Sequence, residues 1–152
     1  MAKLKTSKYF VTDVRPDKIF PGAPKGMNQI KPGTRVPPTH VMWLDGTVIP
    51  GAFYTECVWI WPETGSEEAA AQEHSHDFAE IVNFYGTDFN NPRDLGGEVE
   101  LWLDGEKHIM KQSFLAFIPA GMKHGPLYTR NVVRPIFHFT VGLGEEYARK
   151  SD

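Results

Sequence analysis

Short apolar and alternating runs, as at 98–103, are separated by turn-rich segments, and no segment has the length and spacing of a major amphipathic helix. The strongest strand signal is 51–61, GAFYTECVWIW, aromatic and β-branched throughout. Further strands are predicted at 9–14 as an edge strand, at 40–44, through Ile81, Val82 and Phe84, at 114–118 and at 134–143. Residues 98–103 and 106–111 flank Asp104-Gly105 and read as a hairpin, and Asp45-Gly46 carries the same two-residue turn signal. Pro and Gly recur from 16 to 38 and forbid helix, so this stretch is an arm or wrapping loop. The segment 62–72 is a polar, alanine-rich connection, and 87–97, rich in Asn, Asp, Pro and Gly, is a surface excursion. Short strands at regular spacing predict an all-β barrel or sandwich. The chain then divides into an arm at 1–38, a barrel at 39–144 and a polar tail with a brief helix at 145–152, within one structural domain.

Chemistry concentrates at 73–86, EHSHDFAEIVNFYG, where His74, His76 and Glu80 stand at offsets of two and four. Side chains two apart on a strand share a face, so all three converge if the strand continues past Asp77. A further donor is offered by His124, beyond the Pro/Gly turn of PAGMKH. Imidazoles with one carboxylate suit a divalent transition metal and leave exchangeable positions for water, dioxygen or substrate.

His74-x-His76-x3-Glu80, followed by Pro119-x-Gly121-x2-His124, resembles the ligand pattern of the cupin family. The resemblance implies a cupin-type antiparallel β-barrel (a double-stranded β-helix or jelly roll) with the metal inside it, held by His74, His76, Glu80 and His124. Departures fall at turn and packing positions: Glu68 and Ser113 stand where each motif usually opens with Gly, Gly86 closes the first motif one residue early, and Tyr128 replaces a closing Asn. In that family this donor set serves oxygenases, isomerases, decarboxylases, lyases and plain binding or sensing domains, with Fe, Mn, Ni or Zn. The expected function is a small metal-dependent enzyme, dioxygenase-like, acting on a low-molecular-weight, oxygen-bearing and aromatic-compatible substrate. The loop at 87–97, directly after the first motif, is expected to overhang the barrel mouth.

Trp59, Trp61 and Tyr54 are candidates to wall a substrate pocket, with Trp43 in the same aromatic store. Tyr128 shares its parity with His124 and is expected to bring a phenol near the ion. His138, between Ile136 and Thr140 on the last strand, is a catalytic candidate or a hydrogen-bonded core histidine. Lys123, His40 and His108 read as surface residues.

Composition narrows the partners. The 152 residues carry a formal charge of −3, and the only cationic run is Lys3, Lys5 and Lys8, which argues against nucleic acid or an anionic membrane. No apolar stretch is long enough for a signal peptide or a membrane span, so the expectation is a cytoplasmic protein. The single cysteine, Cys57, excludes an internal disulfide. A barrel of this size is expected to hide an edge strand by pairing with a second copy, the arm acting as a clasp in a homodimer.

Overall fold

The computed structural model describes residues 5–12, 39–62 and 69–150. Most of the expected arm, and much of the connection at 62–72, lies outside these residues.

The described chain forms eight strands: β1 (Thr39–Leu44), β2 (Tyr54–Ile60), β3 (Glu80–Gly86), β4 (Asp94–Leu103), β5 (Glu106–Gln112), β6 (Phe114–Ile118), β7 (His124–Arg130) and β8 (Ile136–Gly142). They make two antiparallel sheets, one ordered β1-β2-β8-β3-β6 and the other β5-β4-β7. The inner faces of the sheets meet in a core of Val58, Ile60, Val82, Phe84, Ile118 and Ile136 from the larger sheet against Leu95 and Val99 from the smaller. Period-two burial is cleanest in β8, where Ile136, His138, Thr140 and Gly142 point inward. This is the cupin-type barrel expected from the sequence.

Several local expectations are corrected. Residues 7–9 form a 3-10 turn, and no strand is found among the described residues 10–12. Asp45 does not begin a two-residue hairpin: nine residues separate β1 from β2, and the Asp45 carboxylate accepts from the backbone of Thr47 and Val48 instead, building a local turn. The loop after β3 is shorter than expected because β4 already begins at Asp94, and no residue between 87 and 93 lines the central cavity. β3 starts at the cavity and runs away from it, so this loop leaves the opposite end. His124–Arg130, not assigned from the sequence, is a full strand. The tail is no helix through residue 150: Tyr147 is buried with Trp43 and Tyr54, and Lys150 pairs with Ser75 through both backbone hydrogen bonds.

Leu95 is fully buried and Leu143 is 71% exposed. Leu95→Ala is expected to destabilise the protein by about 2–5 kcal/mol, and Leu143→Ala by less than about 0.5 kcal/mol. Urea denaturation of both variants measures the difference.

Candidate metal centre

The segment carrying His74 and His76 is not the continuation of β3. The chain bends at Asp77 and Phe78, so the expected unbroken strand stops at Glu80. The donors converge by another route. His74 and His124 exchange both backbone hydrogen bonds at 2.9 Å, and Ala71 bridges Leu127 one step further along. This close approach requires Gly125, whose φ is +92° and where a Cβ would lie 2.6 Å from the carbonyl oxygen of Gln72. His76 follows two residues on, its ring stacked on Phe78 at 4.8 Å, and Phe78 in turn occupies space that a methyl group on Gly142 or Gly144 would fill. Glu80, the first residue of β3, completes the group.

The geometry is compact. Donor atoms of His74, His76 and His124 lie within 4.8 Å of one another, the scale of one coordination sphere with metal–nitrogen bonds of about 2.0–2.1 Å. Glu80 Oε2 stands 3.2 Å from His124 Nε2 and 3.7 Å from His76 Nε2. All four side chains are buried.

Backbone carbonyls fix which nitrogen faces the centre. Nδ1 of His74 lies 2.7 Å from the Gln72 oxygen, Nδ1 of His76 2.5 Å from that of Ala148, and Nδ1 of His124 3.0 Å from that of Met122. A carbonyl only accepts, so each Nδ1 carries the proton and each Nε2 presents a lone pair. The Nε2 atoms of His76 and His124 are buried without a hydrogen-bond partner. A lone pair and a carboxylate oxygen at 3.2 Å are stable together only with a cation between them, a proton or a metal ion. The donor set therefore fits a divalent metal.

Ionisation states agree. Burial pushes the His74 pKa down to about 4, against a smaller opposing effect of the Gln72 carbonyl, and lowers that of His76 as well. Neutral imidazole is the ligating form. Burial alone would raise the Glu80 carboxyl, but a cation shared with His124 across the 3.2 Å contact, the positive field of His76 and His124 when protonated, and the Thr140 hydroxyl outweigh it and lower its pKa. Thr140 Oγ1, 3.0 Å from Glu80 Oε1, orients that carboxylate.

Beside this cluster lies a cavity of about 60 Å³, lined by His74, Glu80 and His124 together with Tyr54, Glu56, His138, Thr140, Tyr147 and Arg149, and by the apolar Val82, Leu101 and Leu127. Tyr54 and His138 are thus cavity residues. His138 Nδ1 donates to the Asn83 carbonyl at 2.7 Å, its ring stacks on Phe84, and burial keeps it neutral. Trp59 and Trp61 are not cavity residues. They sit at odd positions of and after β2, whose inward residues Tyr54, Glu56, Val58 and Ile60 are even, and Trp59 packs outside against Trp61 and Phe137. Tyr128 is also displaced. Leu101 pairs with Leu127 but Leu103 with His124, two steps along β4 against three along β7, and this bulge turns Leu127 inward and Tyr128 out. Tyr128 instead lies under the Arg130 guanidinium at 4.3 Å.

Glu56, Tyr147 and Arg149 were not anticipated. Glu56 had a signal, an acid in the middle of an apolar strand and in parity with Tyr54. Its partner is His40, 3.3 Å away and 13% exposed, not the solvated residue expected. Burial works to raise the Glu56 pKa, but His40 prevails and keeps the carboxylate charged.

No protein-family model and no curated protein matches the chain. Solved structures do. A recombinant oxalate oxidase in complex with glycolate aligns at 13% identity over 95% of this chain and 63% of that one, with a TM-score of 0.54. An RmlC-like cupin from Shewanella frigidimarina aligns at 15% identity over 62% and 68% of the two chains, with a TM-score of 0.37. The DMSP lyase DddQ from Ruegeria pomeroyi aligns at 22% identity over 64% and 42%, with a TM-score of 0.39. The chain therefore spans less than two thirds of the oxalate oxidase and under half of the lyase. Two facing antiparallel sheets enclose an inward-facing cluster of His74, His76 and His124. The chain has the cupin fold. Among the described residues, no helix is long and apolar enough to cross a membrane.

His76→Ala is expected to abolish nearly all bound transition metal, whereas Tyr128→Phe leaves it unchanged. Elemental analysis of the purified variants measures both.

Proposed function

We propose that this chain is a metal-dependent enzyme whose His74, His76, His124 and Glu80 hold one divalent ion against a small, oxygen-bearing substrate. The observation that carries the reading is the convergence of imidazole Nε2 atoms, each with its Nδ1 committed to a carbonyl, on one buried carboxylate. Bound there, a divalent ion supplies Lewis acidity to a coordinated oxygen. Glu80 supplies the negative charge of the donor set, and Thr140 holds its orientation. Val82, Leu101 and Leu127 limit water around the substrate. His138, neutral and with Nδ1–H on Asn83, offers Nε2 as an acceptor, while burial pushes the Tyr54 phenol far up and keeps it protonated.

These groups favour a reaction in which a proton moves, such as elimination, decarboxylation or isomerisation, with Mn, Ni or Zn. The dioxygenase-like reading drew on an aromatic wall, and Trp59 and Trp61 face outward. It is supported by the same donor set, which also suits iron. Elemental analysis of protein purified without added metal, followed by incubation with small hydroxy and keto acids with and without air, separates the readings. Turnover without air is the expected result, turnover only in air supports the oxygenase, and substrates returned unchanged by metal-loaded protein make the chain a binding module.

The proposal includes a homodimer. Its support is the outer face of the larger sheet, where Ile81, Leu115 and Phe117 are 40%, 66% and 65% exposed and adjacent in register. Light scattering is expected to give twice the 17.2 kDa chain mass, and a particle of one chain mass would remove this part of the reading.

A further inference from the structure

The C-terminal segment brings a charge to the cavity that the metal donors do not use. Arg149 lines the cavity beside His74, Glu80 and His124. Its backbone is pinned on both sides: the Ala148 carbonyl accepts from His76 Nδ1, and Lys150 pairs with Ser75. Arg149 Nε donates to the hydroxyl of buried Tyr147, and the guanidinium carbon stands 5.0 Å from the centre of that ring. The side chain is thereby laid along the cavity wall, and the residue keeps access to solvent.

Arg149 takes part in none of the ion pairs found among the described residues, whereas Arg134 pairs with Asp94 and Lys150 with Asp77. Glu56, the other acid of the cavity wall, faces His40. One carboxylate, Glu80, does not neutralise a divalent ion, and a guanidinium beside it adds to the excess positive charge. Like charges gathered at a partly dehydrated site are unfavourable until an anion joins them. Guanidinium also matches the planar, two-oxygen shape of a carboxylate.

We propose that Arg149 anchors the substrate through a carboxylate, and that the site takes a small carboxylate bearing a second oxygen for the ion. The cavity, about 60 Å³, suits a small ligand. This deepens the proposed function and rests on it for the metal.

The test is calorimetric titration of metal-loaded wild type, Arg149→Gln and Arg149→Lys with glycolate, glycolamide and inorganic phosphate, the metal content of each sample being measured. Glycolate is expected to bind wild type and to lose at least about tenfold in affinity in R149Q, with a smaller loss in R149K. Glycolamide, which has the same shape without the charge, is expected to bind all three alike. Metal content is expected to stay at the wild-type level, and a competing chelator should find the ion held as tightly in R149Q or more so. Unchanged glycolate affinity in R149Q with metal in place overturns the proposal, as does a wild type that binds no glycolate. Phosphate binding tighter than glycolate, with the same loss in R149Q, overturns the assignment to carboxylates. A wild type that takes up no metal overturns the metal centre itself, and Arg149 is then judged on metal-free protein, where loss of glycolate binding in R149Q supports the anchor and no loss refutes it.

Discussion

The two backbone hydrogen bonds between His74 and His124 hold the centre together. They join a segment that has no strand of its own to the first residue of a strand in the smaller sheet. An antiparallel pair of this kind sets the two imidazoles side by side, their ring centres 4.2 Å apart. Gly125 permits the approach, and the carbonyls of Gln72 and Met122, each two residues before its histidine, set the tautomers locally. Ring orientation therefore follows from main-chain geometry, which is stiffer than a web of side chains and less sensitive to substitution around it.

The barrel contributes the remaining acid and the dryness. Glu80 opens β3 and hydrogen bonds to Thr140 of the neighbouring β8 in the same sheet. Burial favours the uncharged form of a titratable group, and for His74, His76 and His138 it prevails. For Glu80 and Glu56 the adjacent imidazoles reverse it. The interior thus holds neutral nitrogen donors beside ionised oxygen donors, a combination that neither burial nor charge pairing alone produces.

Seven of the eight strands were legible, though neither β7 nor the order of strands within the sheets, because two-residue alternation is strong in β2 and β8 and the hairpin joining β4 to β5 has its Asp-Gly turn. The clustering of these side chains was legible because short spacings survive local irregularity: His74, His76 and Glu80 line one buried region even though the strand expected to carry them breaks at Asp77. Parity was a good guide only on uninterrupted strands. It places Tyr54 and His138 inward and, applied strictly, puts Trp59 five residues from Tyr54 on the other face. It fails at Tyr128 because β7 carries an extra residue, which only Gly125-Pro126 hints at in the sequence. Nothing local announces Tyr147 or Arg149, since their positions depend on pairing between residues far apart in the chain, such as Lys150 with Ser75.

The hydrogen bond from His76 to Ala148 spans 72 residues. During vectorial synthesis His74 and His124 can find each other once β7 has emerged, but His76 has no fixed ring until the chain has grown well past β8. The orientation of the His76 ring is consequently settled only when the C-terminal segment docks, so the first motif depends on the last few residues of the fold.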